Sequence, residues 1–348
     1  MQTVRLGRTE LGVSRIGFGG IPIQRVSETE TEQVIHRAIE LGVTFFDTAN
    51  GYGTSEERIG RAIAGRRQDV ILATKTMARG RAEAAEHLDL SLRRLQTDMV
   101  DLWQFHAVNN EDDYATVLGP GGAMEAAEQA LRDGTVRHIG LTSHSMEIAL
   151  KGVASGRFET IQFPFNYVTS EAADRLIPLA AEKDVGFIGM KPFAGGMLSD
   201  ARLSIKYVLQ YENVVPDPGI ESVADIEGIS KILDDSWEIT ATELEEIEEI
   251  RKEVGNRFCR RCGYCMPCPQ EIRITTALNV ISFARRFPRQ QVLDGSIGRA
   301  AEKAKECEKC GICESRCPYM LPIREMLVEN IEYYEALKQD EPEVRPID

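Results

Sequence analysis

All eight cysteines of the 348-residue chain lie between Cys259 and Cys317, in two runs. The first reads Cys259-Arg-Arg-Cys262-Gly-Tyr-Cys265-Met-Pro-Cys268-Pro269, the second Cys307-Glu-Lys-Cys310-Gly-Ile-Cys313-Glu-Ser-Arg-Cys317-Pro318. A disulfide framework would have little reason to avoid the other three quarters of the chain, and repeated Cys-x-x-Cys steps suggest metal ligation. Three cysteines at such intervals wrap one side of an iron–sulfur cubane, while the fourth, beside proline, turns away to a second cluster. The spacing therefore predicts two [4Fe–4S] clusters with crosswise ligation. Cys259, Cys262, Cys265 and Cys317 would hold one, and Cys307, Cys310, Cys313 and Cys268 the other. The first run is one residue shorter before its last cysteine than the full pattern. Tetrahedral zinc is the competing reading, but three successive Cys-x-x-Cys steps crowd a single zinc.

A second set of residues could move protons. Asp47 follows the apolar run Thr44-Phe45-Phe46, and Tyr52 sits in the glycine-containing loop Asn50–Gly53. Lys75 ends Val70–Thr74, and His106 follows Leu102–Phe105. Singly, each has an ordinary explanation: a capped loop, a packed ring, a solvated ammonium, a satisfied carbonyl. Together they make chemistry. A lysine beside a phenol stabilises the phenolate, a carboxylate holds the lysine, and an imidazole donates to a substrate oxygen.

That grouping requires elements that converge. From Arg15 to about Leu233, β-branched runs alternate with amphipathic stretches of helical length, as repeated βα units do. Strands are expected to begin at Ile16, Thr44, Val70, Val100, Val136, Thr160, Val185 and Asn213. Helices are expected near residues 30–41, 56–63, 82–95, 122–132, 146–154, 171–182, 203–211 and 225–233. Eight such units predict an α/β fold, a closed (β/α)8 TIM barrel, with functional residues at the C-terminal strand ends. Thr3–Arg5 and Leu11–Val13 flank a turn, so a hairpin is expected to close the barrel floor. Thr240–Val254 reads as a charged helix capped by Thr240 with Glu243 three residues on. The expected domains are a barrel over residues 1–254 and a small α-helical and loop iron–sulfur module over 255–348. The acidic, proline-containing tail Asp340–Asp348 is expected to be frayed.

With 41 basic against 55 acidic side chains the net charge is −14, which repels nucleic acid and anionic membrane surfaces. The amino terminus has no apolar h-region, and nowhere do about 18 apolar residues run together. A cytoplasmic protein with no membrane partner is expected.

Phe46-Asp47-Thr48-Ala49-x-x-Tyr52-Gly53, Ala73-Thr74-Lys75 and the His106 segment resemble the aldo-keto reductase family. So do Ile139–Ser143, Gln162–Asn166 and Met190–Phe193. The resemblance covers about two thirds of the chain. It implies Asp47, Tyr52, Lys75 and His106 as the catalytic tetrad, with Tyr52 protonating a carbonyl oxygen and His106 orienting it. It also implies NAD(P)H as cofactor, with Asp47, Ser143, His144 and Gln162 near the nicotinamide. Met190, Lys191, Pro192, Phe193 and Gly195 would lie along nicotinamide and diphosphate, and Gly20 would also contact the cofactor. His144 stands where the family commonly has asparagine, and Met190 replaces a stacking aromatic. The family's long C-terminal substrate loop is absent. The module's cysteines are similar to those of bacterial ferredoxins.

The loop after the eighth strand, with Gly219, Glu221, Ser222 and Asp225, should receive the adenosine end. No basic residue occurs between Tyr207 and Ser230, and carboxylates repel a 2′-phosphate, so NADH is favoured over NADPH. The acids could equally serve the following helix, and Lys191 or Arg202 could reach the phosphate. The expected partner is a small carbonyl or alcohol substrate, with a ferredoxin-type electron partner conceivable. Two alternatives stand beside the reductase: an enzyme fed electrons through its clusters without nicotinamide, and a redox-sensing binding subunit.

Overall fold

The computed structural model describes residues 1–254 and 257–339. The tail expected to fray, Asp340–Asp348, lies outside them. The chain divides into two compact units, Met1–Ile247 and Glu248–Asp348, each considered by itself.

The first unit opens with the expected hairpin, β1 (Thr3–Arg5) and β2 (Gly12–Ser14), antiparallel with Thr3 opposite Ser14. Eight parallel strands follow: β3 (Gly17–Gly19), β4 (Phe45–Asp47), β5 (Ile71–Thr76), β6 (Val100–Phe105), β7 (Val136–Thr142), β8 (Thr160–Pro164), β9 (Gly186–Met190) and β10 (Val214–Asp217). They pair in sequence order. The barrel closes between its ends, where Gly19 N donates to Pro218 O at 2.8 Å and Ile220 N to Gly19 O at 3.2 Å. A Cβ on Gly19 would meet Pro218 O at 2.6 Å, so the closing contact requires glycine there.

The hairpin seals the floor. Leu6, Leu11 and Val13 pack on Phe45, Ala73, Leu102, Ile188 and Val215 from the strands. Because these side chains fill the barrel's lower end, chemistry is left to the opposite, C-terminal face.

The surrounding helices are α1 (Glu28–Glu40), α2 (Ser55–Ala62), α3 (Arg81–Leu95), α4 (Glu111–Leu118), α5 (Ala123–Asp133), α6 (Met146–Ala154), α7 (Leu176–Glu182), α8 (Ala201–Leu209) and α9 (Val223–Asp234). Two differ from the sequence pattern. Helix α4 was not expected: it is short, opens on three acids, and buries only Tyr114 and Val117, which leaves little periodicity to read. The helix expected over 171–182 is instead a 3-10 turn at Glu171–Ala173 followed by α7. Pro178 lies in the first turn of α7, where its missing N–H costs nothing, so the helix starts just before it.

Helix α10 (Ala241–Val254) begins with the expected capping box, Glu243 N donating to Thr240 Oγ1 at 3.2 Å and Thr240 N to Glu243 Oε2 at 2.8 Å. The division between the units falls inside it.

The second unit contains α11 (Ile274–Ala277), α12 (Val280–Ala284), α13 (Arg289–Asp294), α14 (Ser296–Ala304), α15 (Ile312–Ser315) and α16 (Ile323–Lys338). It has two small cores. One packs Ile272, Ile274, Leu321 and Leu327 with Cys259, Cys265 and Cys313; the other joins Val280, Phe283, Val292 and Tyr334. Among the described residues no helix is long and apolar enough to cross a membrane.

Candidate active site and cluster ligands

Adjacent parallel strands put their C-terminal ends side by side, and β4, β5 and β6 are neighbours. Asp47, Lys75 and His106 lie at or just beyond those ends, and the loop after β4 returns Tyr52 over them. Lys75 donates a short hydrogen bond to Asp47 Oδ2 and another to Thr48 O at 2.7 Å. Its Nζ lies 4.9 Å from the Tyr52 ring centroid. The Tyr52 and His106 rings meet edge to face, centroids 5.5 Å apart. The four residues that the sequence singled out thus form one cluster.

Lys75 is 2% exposed. Burial alone would drag its ammonium below the ordinary range, but attraction by Asp47, Tyr52 and Asp217, with the Asp47 hydrogen bond, outweighs it and leaves the pKa raised. The lysine stays charged. Asp47 is held from its other side by Gln104 Nε2, 3.2 Å from Oδ1.

The expected nicotinamide contacts occupy the ends of β7, β8 and β9. Gln162 Nε2 lies 3.2 Å from Asp47 Oδ2 and 3.2 Å from Asp217 Oδ2. Its Oε1, like that of Gln104, is buried with no donor among the described residues, an open acceptor that suits a carboxamide N–H. Ser143 is fully buried and donates to Val108 O at 2.7 Å, so as a cofactor ligand it can only accept. Lys191 Nζ lies 2.8 Å from His144 Nε2. Met190 is in register with Asp217 across β9 and β10. The turn from Lys191 through Pro192 and Phe193 is held by Asn166 Nδ2 donating to Lys191 O at 2.9 Å and by Gly196 N donating to Phe193 O at 2.8 Å, with Gly195 at φ +74°. Gly20 N donates to Asp47 O at 2.8 Å, tying the end of β3 to the cluster.

On the loop after β10, Gly219 is spent on barrel closure opposite Gly19. Ser222 caps α9, and the Asp225 carboxylate accepts from the N–H of Ser222 at 2.9 Å and of Glu221 at 3.2 Å. Asp225 therefore serves the helix. Glu221 pairs instead with Arg25 at 3.6 Å, a cation from the far side of the closure that the chain order of the loop did not reveal. Arg202 is tied to Glu243.

Sequence reasoning missed Gln104, Asn109 and Asp217. Gln104 and Asp217 touch the cluster, and Asn109 Oδ1 accepts from His144 N at 2.7 Å. A polar residue inside an apolar strand was the available signal for the first and last.

In the second unit, burial and neighbouring thiols push Cys259, Cys262 and Cys313 up, and Cys265 up to about 12. Such thiols become thiolates only against a compensating positive charge, as a cluster supplies. Cys262 is within repelling distance of Cys317. Cys268 lines one cavity with Cys265, Cys307, Cys310 and Cys313.

Residues 15–256 match the aldo/keto reductase family. The chain belongs to that family. Residues 258–322 match a 4Fe-4S dicluster domain. This aldo/keto reductase is 29% identical over 233 residues to the aldo-keto reductase YhdN of Bacillus subtilis, covering 62% of this chain and 68% of that one. It is 32% identical over 216 residues to L-galactose dehydrogenase of Arabidopsis thaliana, covering 56% and 66%. Among solved structures it is similar to the holo form of an aldo-keto reductase from Bacillus halodurans, with TM-score 0.63, 25% identity, and 72% and 96% of the two chains covered. An aldo-keto reductase from Klebsiella pneumoniae in complex with NADPH shares the fold at TM-score 0.62 and 22% identity, over 72% and 95%. The second unit of this aldo/keto reductase thus carries a ferredoxin-like dicluster domain beside the family's barrel.

Proposed function

We propose that the barrel reduces an aldehyde, ketone or sugar-like carbonyl with NAD(P)H, or oxidises the corresponding alcohol. The observation that carries this reading is the position of the Lys75 ammonium, bonded to Asp47 and set against Tyr52. When bound, the nicotinamide supplies or accepts the hydride. The Tyr52 hydroxyl gives its proton to the carbonyl oxygen, Lys75 stabilises the phenolate left behind, and Asp47 holds Lys75 in place. His106, against the edge of the Tyr52 ring, orients and polarises that oxygen. Gln162 and Gln104 offer open acceptors to a carboxamide, and the Lys191–His144 pair offers a cation to the diphosphate. Running the proton steps backwards oxidises an alcohol from the phenolate form.

NADH is the favoured nucleotide, because Glu221 places a carboxylate on the loop assigned to the adenosine end. The test is anaerobic purification with nucleotide titration, followed by turnover of aldehydes and sugars monitored through nicotinamide absorbance. Absence of any nucleotide binding by the folded protein would reject the reading.

A second reading gives the clusters one-electron traffic with a ferredoxin-type partner. It is favoured by the exposed side chains that flank the ligands: Cys310 itself, Tyr264 at 48%, Ile312 at 36% and Met320 at 84% exposure. Reduction of the clusters by a one-electron donor but not by NAD(P)H would favour it.

A further inference from the structure

Asp217 ends β10 with its side chain 6% exposed, and the proton transfer proposed above does not use it. Its Oδ2 accepts from Gln162 Nε2, the nitrogen that also reaches Asp47. One amide nitrogen thus stands 3.2 Å from an oxygen of each carboxyl, and Asp217 Oδ1 is buried with no donor among the described residues. An ionised carboxylate only accepts hydrogen bonds, and a buried carboxyl with one shared donor and one oxygen that has none is held more cheaply with its proton on.

The charges around the pair point the same way. Lys75 is the cation that faces both carboxyls, and its hydrogen bonds already run to Asp47 and Thr48. One ammonium balances one carboxylate. The strands flanking β10 add none: β3 contributes Gly17, Phe18 and Gly19, and β9 runs from Gly186 to Met190 without an ionisable residue. Of the charged groups on elements packed against β10, Arg202 and Lys206 of α8 are held by Glu243, and Arg15 donates to Val214 O and Leu209 O; beside the carboxyls, among the described residues, stand the amides of Gln104 and Gln162 and the phenol that Lys75 approaches. Gly17 makes the space, since a Cβ there would meet Asp217 Oδ1 at 2.9 Å. Burial, and after it the Asp47 charge, push the Asp217 carboxyl well above the ordinary range, against the opposing pull of Lys75.

We propose that Asp217 is a proton-holding positioning residue: neutral, it leaves the field of Lys75 to act on Tyr52, and ionised, it draws that field off and makes the phenol harder to ionise. The inference rests on the reading of Tyr52 as proton donor and acceptor. Its proton goes to solvent as pH rises, and the pair with Tyr52 then titrates as a coupled system. Alcohol oxidation, which starts from the phenolate, is the direction that feels the added charge.

The first measurement is infrared spectroscopy of the nucleotide-free protein across pH, with Asp217→Asn as reference. A neutral carboxylic acid band is expected at neutral pH, fading in alkali and missing from the variant. Absence at neutral pH of any acid band that Asp217→Asn removes overturns the proposal. The second is a tyrosinate absorbance titration, each protein referenced to its own Tyr52→Phe counterpart. Tyr52 should ionise about one pH unit lower in Asp217→Asn than in the wild type, the scale of one nearby charge. An unchanged or higher midpoint overturns the proposal. Where Asp217→Asn folds poorly, Asp217→Glu replaces it as the infrared reference, because a carboxyl moved by one methylene shifts the same acid band. Both measurements omit nucleotide and substrate, so failure of a reductase assay bears on the proposed function alone.

Discussion

Lys75 Nζ sits 4.9 Å from the centre of the Tyr52 ring while its hydrogen bonds run to Asp47 and the Thr48 carbonyl. The ammonium is thus oriented by an acid and a backbone oxygen and presented to a phenol, the arrangement that a reversible proton donor needs.

Replacing that lysine should cost both chemistry and stability. Lys75→Met is expected to lower kcat by about 10²- to 10⁴-fold and to destabilise the barrel by about 3–5 kcal/mol, because Asp47 is left buried without its partner. The wild-type pKa is raised, so the lysine's contribution is fully present at neutral pH and is lost only as pH climbs through its folded value, above the usual lysine range. Denaturant melts of both proteins from neutral to strongly alkaline pH should therefore converge at the alkaline end.

Tyr52→Phe keeps the ring and removes the proton. Carbonyl reduction should fall by roughly 10²- to 10⁴-fold while nucleotide binding stays near wild type. His106→Ala should act mainly on kcat/KM through lost orientation. Steady-state kinetics beside nucleotide titration separates the two, and near wild-type turnover in Tyr52→Phe would remove Tyr52 from the role of acid.

Two cubanes imply about eight irons per chain in anaerobically prepared protein. Cys317 neighbours Cys262, while one cavity is lined by Cys265 as well as Cys268, Cys307, Cys310 and Cys313, so mutation is what separates crosswise from local ligation. Cys317→Ala is expected to perturb the cluster anchored by the first run. Iron and sulfide analysis with electron paramagnetic resonance reads this, and damage confined to the second-run cluster would mean local ligation.

Glu221 and Arg25 face each other beside the loop assigned to the adenosine end. NADH should bind more tightly than NADPH, and Glu221→Gln should narrow the difference by roughly tenfold by releasing Arg25 toward a phosphate, the scale of one charge-assisted hydrogen bond. Calorimetric titration of both nucleotides decides it; tighter NADPH binding by the wild type would show that this loop does not select the nucleotide.

The sequence by itself determined the eight βα units, the hairpin beneath them, the α10 capping box and two sets of chemical residues. Each was legible because its signal is local: a period of two or 3.6, an N-cap three residues before its partner, cysteines at fixed intervals, or a polar residue just past an apolar run. Helix α4 escaped because it buries too few side chains to leave a period, and the start of α7 followed Pro178 more than the amphipathic pattern. What only the tertiary structure decided were relations across distant segments. Asp225 serves its own helix while Glu221 answers to Arg25, because barrel closure brings Pro22–Arg25 beside the loop after β10. Asp217 shares the Gln162 amide with Asp47 for the same reason: their separation along the chain says nothing of it, and closure of the barrel beside Gly19 brings two buried carboxyls to one amide.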